Sequence, residues 1–277
     1  MEKLQVAIEK ARSQRQKAGE SRPAAAPVAK PVKPTDESLR TCWKDLAPIE
    51  VPESVITQNR LVASADGPAA APFDMLRTRI LQQAKSRDWK RVALVSPHSA
   101  CGKSTTAANL AFSFGRQSDL RTIVLDLDLR RSGLRRILGQ HCQHTMADVL
   151  RGEVPFSKHA QRLGDNVALG FNGSTVRSAA EVLQSGKASE VLNSIQAGFE
   201  PDLMLFDMPP LMEVDDNFGF LGNVDCALLL IEAERTTVDQ IDVAERQLSE
   251  LTNVMGVVLN KAHYTEGAYG YGYGYGY

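Results

Sequence analysis

No stretch of this chain is apolar for long. The longest such run, 226–231, falls far short of the roughly 18 residues that a membrane-spanning helix needs, so no segment is expected to cross a bilayer. The N-terminus lacks the apolar stretch and small-residue cleavage site of a secretory signal; Glu2 and Lys3 open a charged segment that runs to Lys17. Cysteine is sparse and unpatterned. The four residues Cys42, Cys101, Cys142 and Cys226 show no CxxC spacing, which argues against a disulfide framework or a cysteine zinc site and for the reducing cytoplasm. An excess of one charge is missing too. With 32 Lys+Arg against 33 Asp+Glu the formal net charge is −1, which argues against a nucleic-acid partner.

What is present is a chain of 277 residues, 43% hydrophobic, enough for one sizeable core or two small ones. Residues 1–17 carry Leu4, Ile8 and Ala11 at helical spacing among Lys and Arg, the pattern of a short amphipathic helix, either a solvated end or a contact for a partner or membrane surface. Eight of the 13 prolines then fall within 19–72, so 1–72 reads as a short helix and a disordered Pro/Ala-rich linker. Beyond it, short apolar runs alternate with longer amphipathic ones. Strands are expected at 92–96, 122–126, 167–170, 203–207, 227–232 and 254–260, with helices at 103–117, 179–197 and 238–252. This order predicts one α/β domain over 73–263, a mostly parallel sheet with helices on both faces. Residues 264–277 end the chain as a disordered tail in which Tyr and Gly alternate from Tyr269 to Tyr277, and all six tyrosines lie there.

The chemistry is concentrated after the first strand. Residues 97–105 read Pro-His-Ser-Ala-Cys-Gly-Lys-Ser-Thr and are followed by a helical pattern, which is a P-loop in the right context. Such a loop curls backbone N–H groups around phosphates at a helix N-terminus, with a lysine for the β/γ-phosphates and a hydroxyl for Mg²⁺. Ser99, Ala100, Cys101, Gly102, Lys103, Ser104 and Thr105 are therefore expected to bind ATP, and Ser104 also the metal. Pro97 stands where the usual pattern has its first glycine. The second apolar run ends in Asp126 and Asp128, which at i and i+2 project to the same side of an extended chain and can share a metal or position a nucleophile. Asp207 closes the third run before Met208-Pro209-Pro210, the usual placement of an acid that holds Mg²⁺ through water. One of Asp126 and Asp128 would accept a substrate proton, and spacing does not choose between them. His141, Cys142 and His144 crowd one short loop with no fourth ligand nearby, so a metal site there is not expected.

Together these motifs resemble the bacterial tyrosine kinases, the P-loop autokinases of capsule and exopolysaccharide synthesis. The D-x-D-x-R motif is Asp126 to Arg130, D-x-P-P is Asp207 to Pro210, and further likeness lies at 76–78, 148–152 and 256–261. The tyrosine cluster after the last strand is the most specific feature. The resemblance covers 73–277 and implies a Mg²⁺/ATP-dependent protein-tyrosine kinase in which Lys103, Asp126 and Asp128 are catalytic and Asn260 binds the cofactor. The phosphoacceptors would be Tyr264, Tyr269, Tyr271, Tyr273, Tyr275 and Tyr277. It further implies a homo-oligomer held by tail and domain contacts, at the cytoplasmic face of the membrane, under a membrane-anchored activator in a separate chain. Two departures stand out. The family's oligomer helix reads E-x-x-R-x-x-R where this chain has Ala71, Asp74 and Arg77. The related partition and cell-division ATPases carry a lysine where this chain has His98; a plain ATPase switch acting on a membrane partner is the alternative.

Overall fold

A computed structural model describes residues 36–262. Its centre is a sheet of eight strands: β1 (Ala47–Pro48), β2 (Arg91–Val95), β3 (Thr122–Asp126), β4 (Gln161–Leu163), β5 (Val167–Gly170), β6 (Leu203–Asp207), β7 (Cys226–Glu232) and β8 (Asn253–Asn260). They lie in the order β1-β4-β5-β3-β6-β2-β7-β8, and every pairing is parallel except that of β4 with β5. The principal strands read as unbroken apolar runs because both faces are covered: β3, β6 and β7 are buried at every position. Successive side chains point to opposite faces. Val92 and Leu94 join Leu110, Phe114 and Leu205 on one face, while Ala93 and Val95 join Ile123, Phe206 and Leu229 on the other.

Five of the helices need naming here: α1 (Asp36–Lys44), α2 (Glu53–Gln58), α3 (Ala71–Arg87), α4 (Lys103–Gly115) and α5 (Gly133–Ile137). The series continues with α6 (Met146–Leu150), α7 (Phe156–His159), α8 (Ala179–Leu183), α9 (Gly186–Phe199), α10 (Asp216–Phe220) and α11 (Val238–Leu251). Helices α3 and α4 cover one face through Ile80, Ala84, Leu110 and Phe114; α9 and α11 cover the other through Leu192, Ile195, Phe199, Ala244 and Leu248. The six expected strands are all present, with ends shifted by at most one residue. The helix expected at 179–197 is instead two. Ser185 accepts the Ala188 N–H at 3.1 Å and caps a fresh start at Gly186.

The linker reading fails for residues 36–72, which belong to the fold. The Trp43 indole is buried and donates to the Phe199 carbonyl at 2.9 Å, Leu61 is fully buried, and β1 pairs with β4. Proline here fixes ends: Pro48 lies on an edge strand and Pro52 caps α2, positions where a missing N–H costs nothing. The helix expected at 1–17, the rest of the linker and the tyrosine tail lie outside the described residues.

Candidate nucleotide and phosphoryl-transfer site

The carboxyl ends of β2, β3 and β6 meet because β6 lies between the other two. Register sets Asp126 opposite Asp207, and Asp207 opposite Leu94, one residue before β2 gives way to the loop. The acids and the phosphate loop therefore occupy one end of the sheet, where ligands of open α/β folds bind. Gly102 caps α4 at φ +92°, a left-handed conformation, and a Cβ there would lie 2.3 Å from the Asn260 side chain. Lys103 is 7% exposed and donates to the Ser96 hydroxyl at 2.7 Å. Ala100, Gly102, Lys103, Ser104 and Thr105 line a cleft of about 440 Å³ together with Asp128, Arg131, Arg136 and Lys261.

Three carboxyl groups crowd the inner wall. Asp126 and Asp207 are wholly buried and Asp128 nearly so. Burial raises the Asp126 carboxyl well above the usual range, and the neighbouring Asp207 and Asp128 add to it. Burial likewise pushes Asp207 up to about 6, with the nearby Lys103 ammonium pulling the other way. Asp128 is raised by burial and held back by Lys103 and Arg131, while burial lowers Lys103 against the pull of Asp207 and Asp128. The Asp126 Oδ1, the Asp128 Oδ1 and both Asp207 oxygens have no hydrogen-bond partner. Four orphaned carboxyl oxygens near a buried lysine form a costly arrangement when ionised unless a cation completes it. The donor set fits Mg²⁺, which prefers oxygen ligands and usually takes only one or two carboxylates, the rest being water and phosphate. Among the described residues no group of three or more His, Cys, Asp or Glu side chains is placed to hold a metal ion, so phosphate and water would have to supply part of the shell.

The expected residues do not all face the cleft. Asn260 donates from Nδ2 to the Cys101 carbonyl at 2.8 Å and so braces the loop from behind. The Ser99 N–H is already taken by the Glu213 carboxylate at 2.5 Å, and the other Glu213 oxygen accepts from Arg131 at 2.9 Å. Arg130, the arginine of D-x-D-x-R, forms a two-pronged pair with Asp216 at 2.8 Å and 2.8 Å. His98 turns its ring toward Cys101 Sγ and the Thr236 hydroxyl, each at 3.3 Å. Sequence reasoning missed Glu213, Arg131 and Lys261. Lys261 donates to the Ala100 carbonyl at 2.8 Å and pairs with Glu232 at 3.0 Å. Its place directly after Asn260 was the available signal; Glu213 had none, since its loop partner is 114 positions away. Helix α3, home of the altered E-x-x-R-x-x-R, turns Arg77 inward to the Ser113 carbonyl at 2.7 Å and Asp74 to Arg116 and Ser113.

A parallel sheet whose first core strand runs into a P-loop, with acids on the two adjoining strand ends, defines a P-loop nucleotide-binding domain. The chain belongs to the CobQ/CobB/MinD/ParA nucleotide binding domain family, whose model matches residues 92–267. It is 29% identical over 205 residues to the tyrosine-protein kinase YwqD of Bacillus subtilis, covering 72% of this chain and 85% of that one. It is 27% identical over 210 residues to the putative tyrosine-protein kinase EpsB of Ralstonia nicotianae, covering 74% of this chain but 27% of that longer protein. Among solved structures, the kinase domain of the Escherichia coli tyrosine kinase ETK superposes with a TM-score of 0.65 at 22% identity, covering 76% of this chain and 82% of that one. That likeness concerns the fold.

Proposed function

We propose that this protein is an ATP- and Mg²⁺-dependent protein-tyrosine kinase that phosphorylates the tyrosine cluster at 264–277 of a neighbouring copy. The observation that carries the reading is that Lys103 and Asp128 line the P-loop cleft while unpartnered oxygens of the buried Asp126 and Asp207 sit on the adjoining strand ends. In this reading Lys103 and the loop N–H groups hold the β- and γ-phosphates, and Ser104, Asp126, Asp128 and Asp207 hold Mg²⁺ directly or through water. When bound, Mg²⁺ would neutralise charge on the phosphates. Asp128, the acid that lines the cleft, is better placed than Asp126, whose Oδ2 accepts the Leu134 N–H at 3.2 Å. Asp128 takes the phenolic proton as the tyrosine oxygen bonds to the γ-phosphorus and the bond to the departing ADP oxygen breaks.

The tyrosine-kinase names of the relatives and the Tyr-Gly tail support a kinase over a plain ATPase. The motif likeness supports a setting in capsule or exopolysaccharide synthesis and export, at the inner face of the membrane, under an activator chain. Among the described residues no helix is long and apolar enough to cross a membrane.

Intact-mass measurement after incubation with Mg²⁺ and ATP tests the reading. Stepwise gains of about 80 Da, one phosphoryl group each, are expected, and they should vanish in Lys103→Met and fall at least about 100-fold in rate in Asp128→Asn. ADP without added mass would assign a plain ATPase instead.

A further inference from the structure

The acceptor in this reading has an unusual poverty of features. In 269–277 every tyrosine but the last is flanked by glycine on its C-terminal side, and no charged residue occurs, so the segment offers a binding surface only rings, hydroxyls and backbone. The cleft itself offers little to a ring. Its lining is polar or charged, and the one large apolar side chain there, Ile137, is half-buried. An apolar contact has to come from the rim.

One segment supplies it. After Asp207 the chain is stitched to the P-loop residue by residue: the Leu211 N–H donates to the Ser96 carbonyl at 2.8 Å, the Met212 N–H to the Pro97 carbonyl at 3.0 Å, and Glu213 accepts from Ser99 at 2.5 Å. Between these anchors the Met212 side chain stays 45% exposed. Phe218, 47% exposed, follows on α10, which is itself held by the Asp216–Arg130 pair and by Asn217 donating to the Pro209 carbonyl at 3.0 Å. Two apolar side chains are thus fixed in solvent on the strand exit that carries a site carboxylate. Methionine suits an aromatic partner, since its polarisable sulfur packs against ring edges.

We infer that Met212, with Phe218 six residues further on, receives the ring of the acceptor tyrosine from the 269–277 segment of a second copy. The inference rests on the kinase reading above. A second copy is favoured over the chain's own tail by where the described chain ends. Lys261 lies on the β8 side of the P-loop, bonded to Ala100, and 15 residues follow Ala262. Met212 follows β6, three strand spacings or about 14 Å across the sheet. The chain's own tail starts on the far side of the P-loop from Met212, whereas a neighbour's segment can approach from the Met212 side.

The test uses full-length protein throughout, with an isotope-labelled Lys103→Met copy as the acceptor at increasing concentration, phosphate on it counted by mass, and nucleotide affinity measured in parallel. Met212→Leu should keep KM for the acceptor within about two-fold, a volume-conserving change. Met212→Glu should raise it roughly ten-fold or more with kcat and nucleotide affinity little moved, because a desolvated charge replaces a sulfur–ring contact. No phosphate on the labelled copy from the unmodified kinase would overturn transfer between copies and with it the reading beneath. Transfer with the same KM in Met212→Glu would overturn the Met212 assignment and leave the kinase reading standing. A fall in nucleotide affinity in Met212→Leu would make the residue a structural part of the loop, which also overturns it.

Discussion

Asp207 sets a conflict between folding and chemistry. Its carboxyl is wholly buried, neither oxygen has a partner, and it titrates near 6 against an ordinary 3.8. A raised value means that the folded chain binds more protons than the unfolded one between about pH 4 and pH 6. Stability from this group is therefore present at low pH, falls as the pH rises through that window, and stays at its lower level above it. Asp207→Asn should reduce the dependence, leaving the part due to Asp126 and Asp128, and stabilise the nucleotide-free protein by on the order of 2 kcal/mol at neutral pH, while phosphorylation is lost. Denaturant midpoints at about pH 4.5 and 7.5 check this; a midpoint of Asp207→Asn no higher than that of the parent at neutral pH would show that the carboxylate is compensated. Affinity for the Mg²⁺–nucleotide should fall below about pH 6 for the same reason, as the carboxylates that would face the cation take up protons.

At the scale of the element, α1 makes the clearest case. Trp43 meets the Phe199 ring edge-on at 5.9 Å, and Phe199 in turn meets Phe156 at 5.1 Å, so a segment that looks like linker closes one face of the core. Trp43→Ala should cost roughly 3–5 kcal/mol, read as a shift of the urea midpoint, and removing residues 1–72 should cost more. An unshifted midpoint would return α1 to the linker. The strands were legible because a run buried on both faces has to be apolar along its length, as 203–206 is before the acid at Asp207. The P-loop and its acids were legible because their chemistry needs fixed residue types at fixed local spacings. Segment 36–72 was not, since Trp43, Leu46 and Leu61 are spread too thinly among prolines to show a period, and the partner of Trp43 lies 156 residues on. Glu213 and Met212 were hidden for the same reason: each acts through a contact that only the tertiary fold creates.

For the whole molecule, the proposed function makes the tail the place where phosphorylation would act. Each phosphotyrosine adds about −1.5 to −2 charges, so several at alternate positions would repel the acids of a site in which the segment had been seated. The phosphorylated protein should therefore associate less than the unphosphorylated protein, and a variant ending at His263 should associate least, as read by light scattering. Equal association of the two full-length forms would rule out release by charge while leaving the transfer itself untouched. The site also ties the tail to the nucleotide physically. Asn260 and Lys261, the last strand residue and its successor, grip the carbonyls of Cys101 and Ala100, and the tail begins three residues later at Tyr264. If a neighbour captures the tail, as the proposed function has it, the load would enter through Asn260 and Lys261 into the backbone of the phosphate loop. Tension between subunits and the grip on nucleotide would then be two readings of one mechanical linkage.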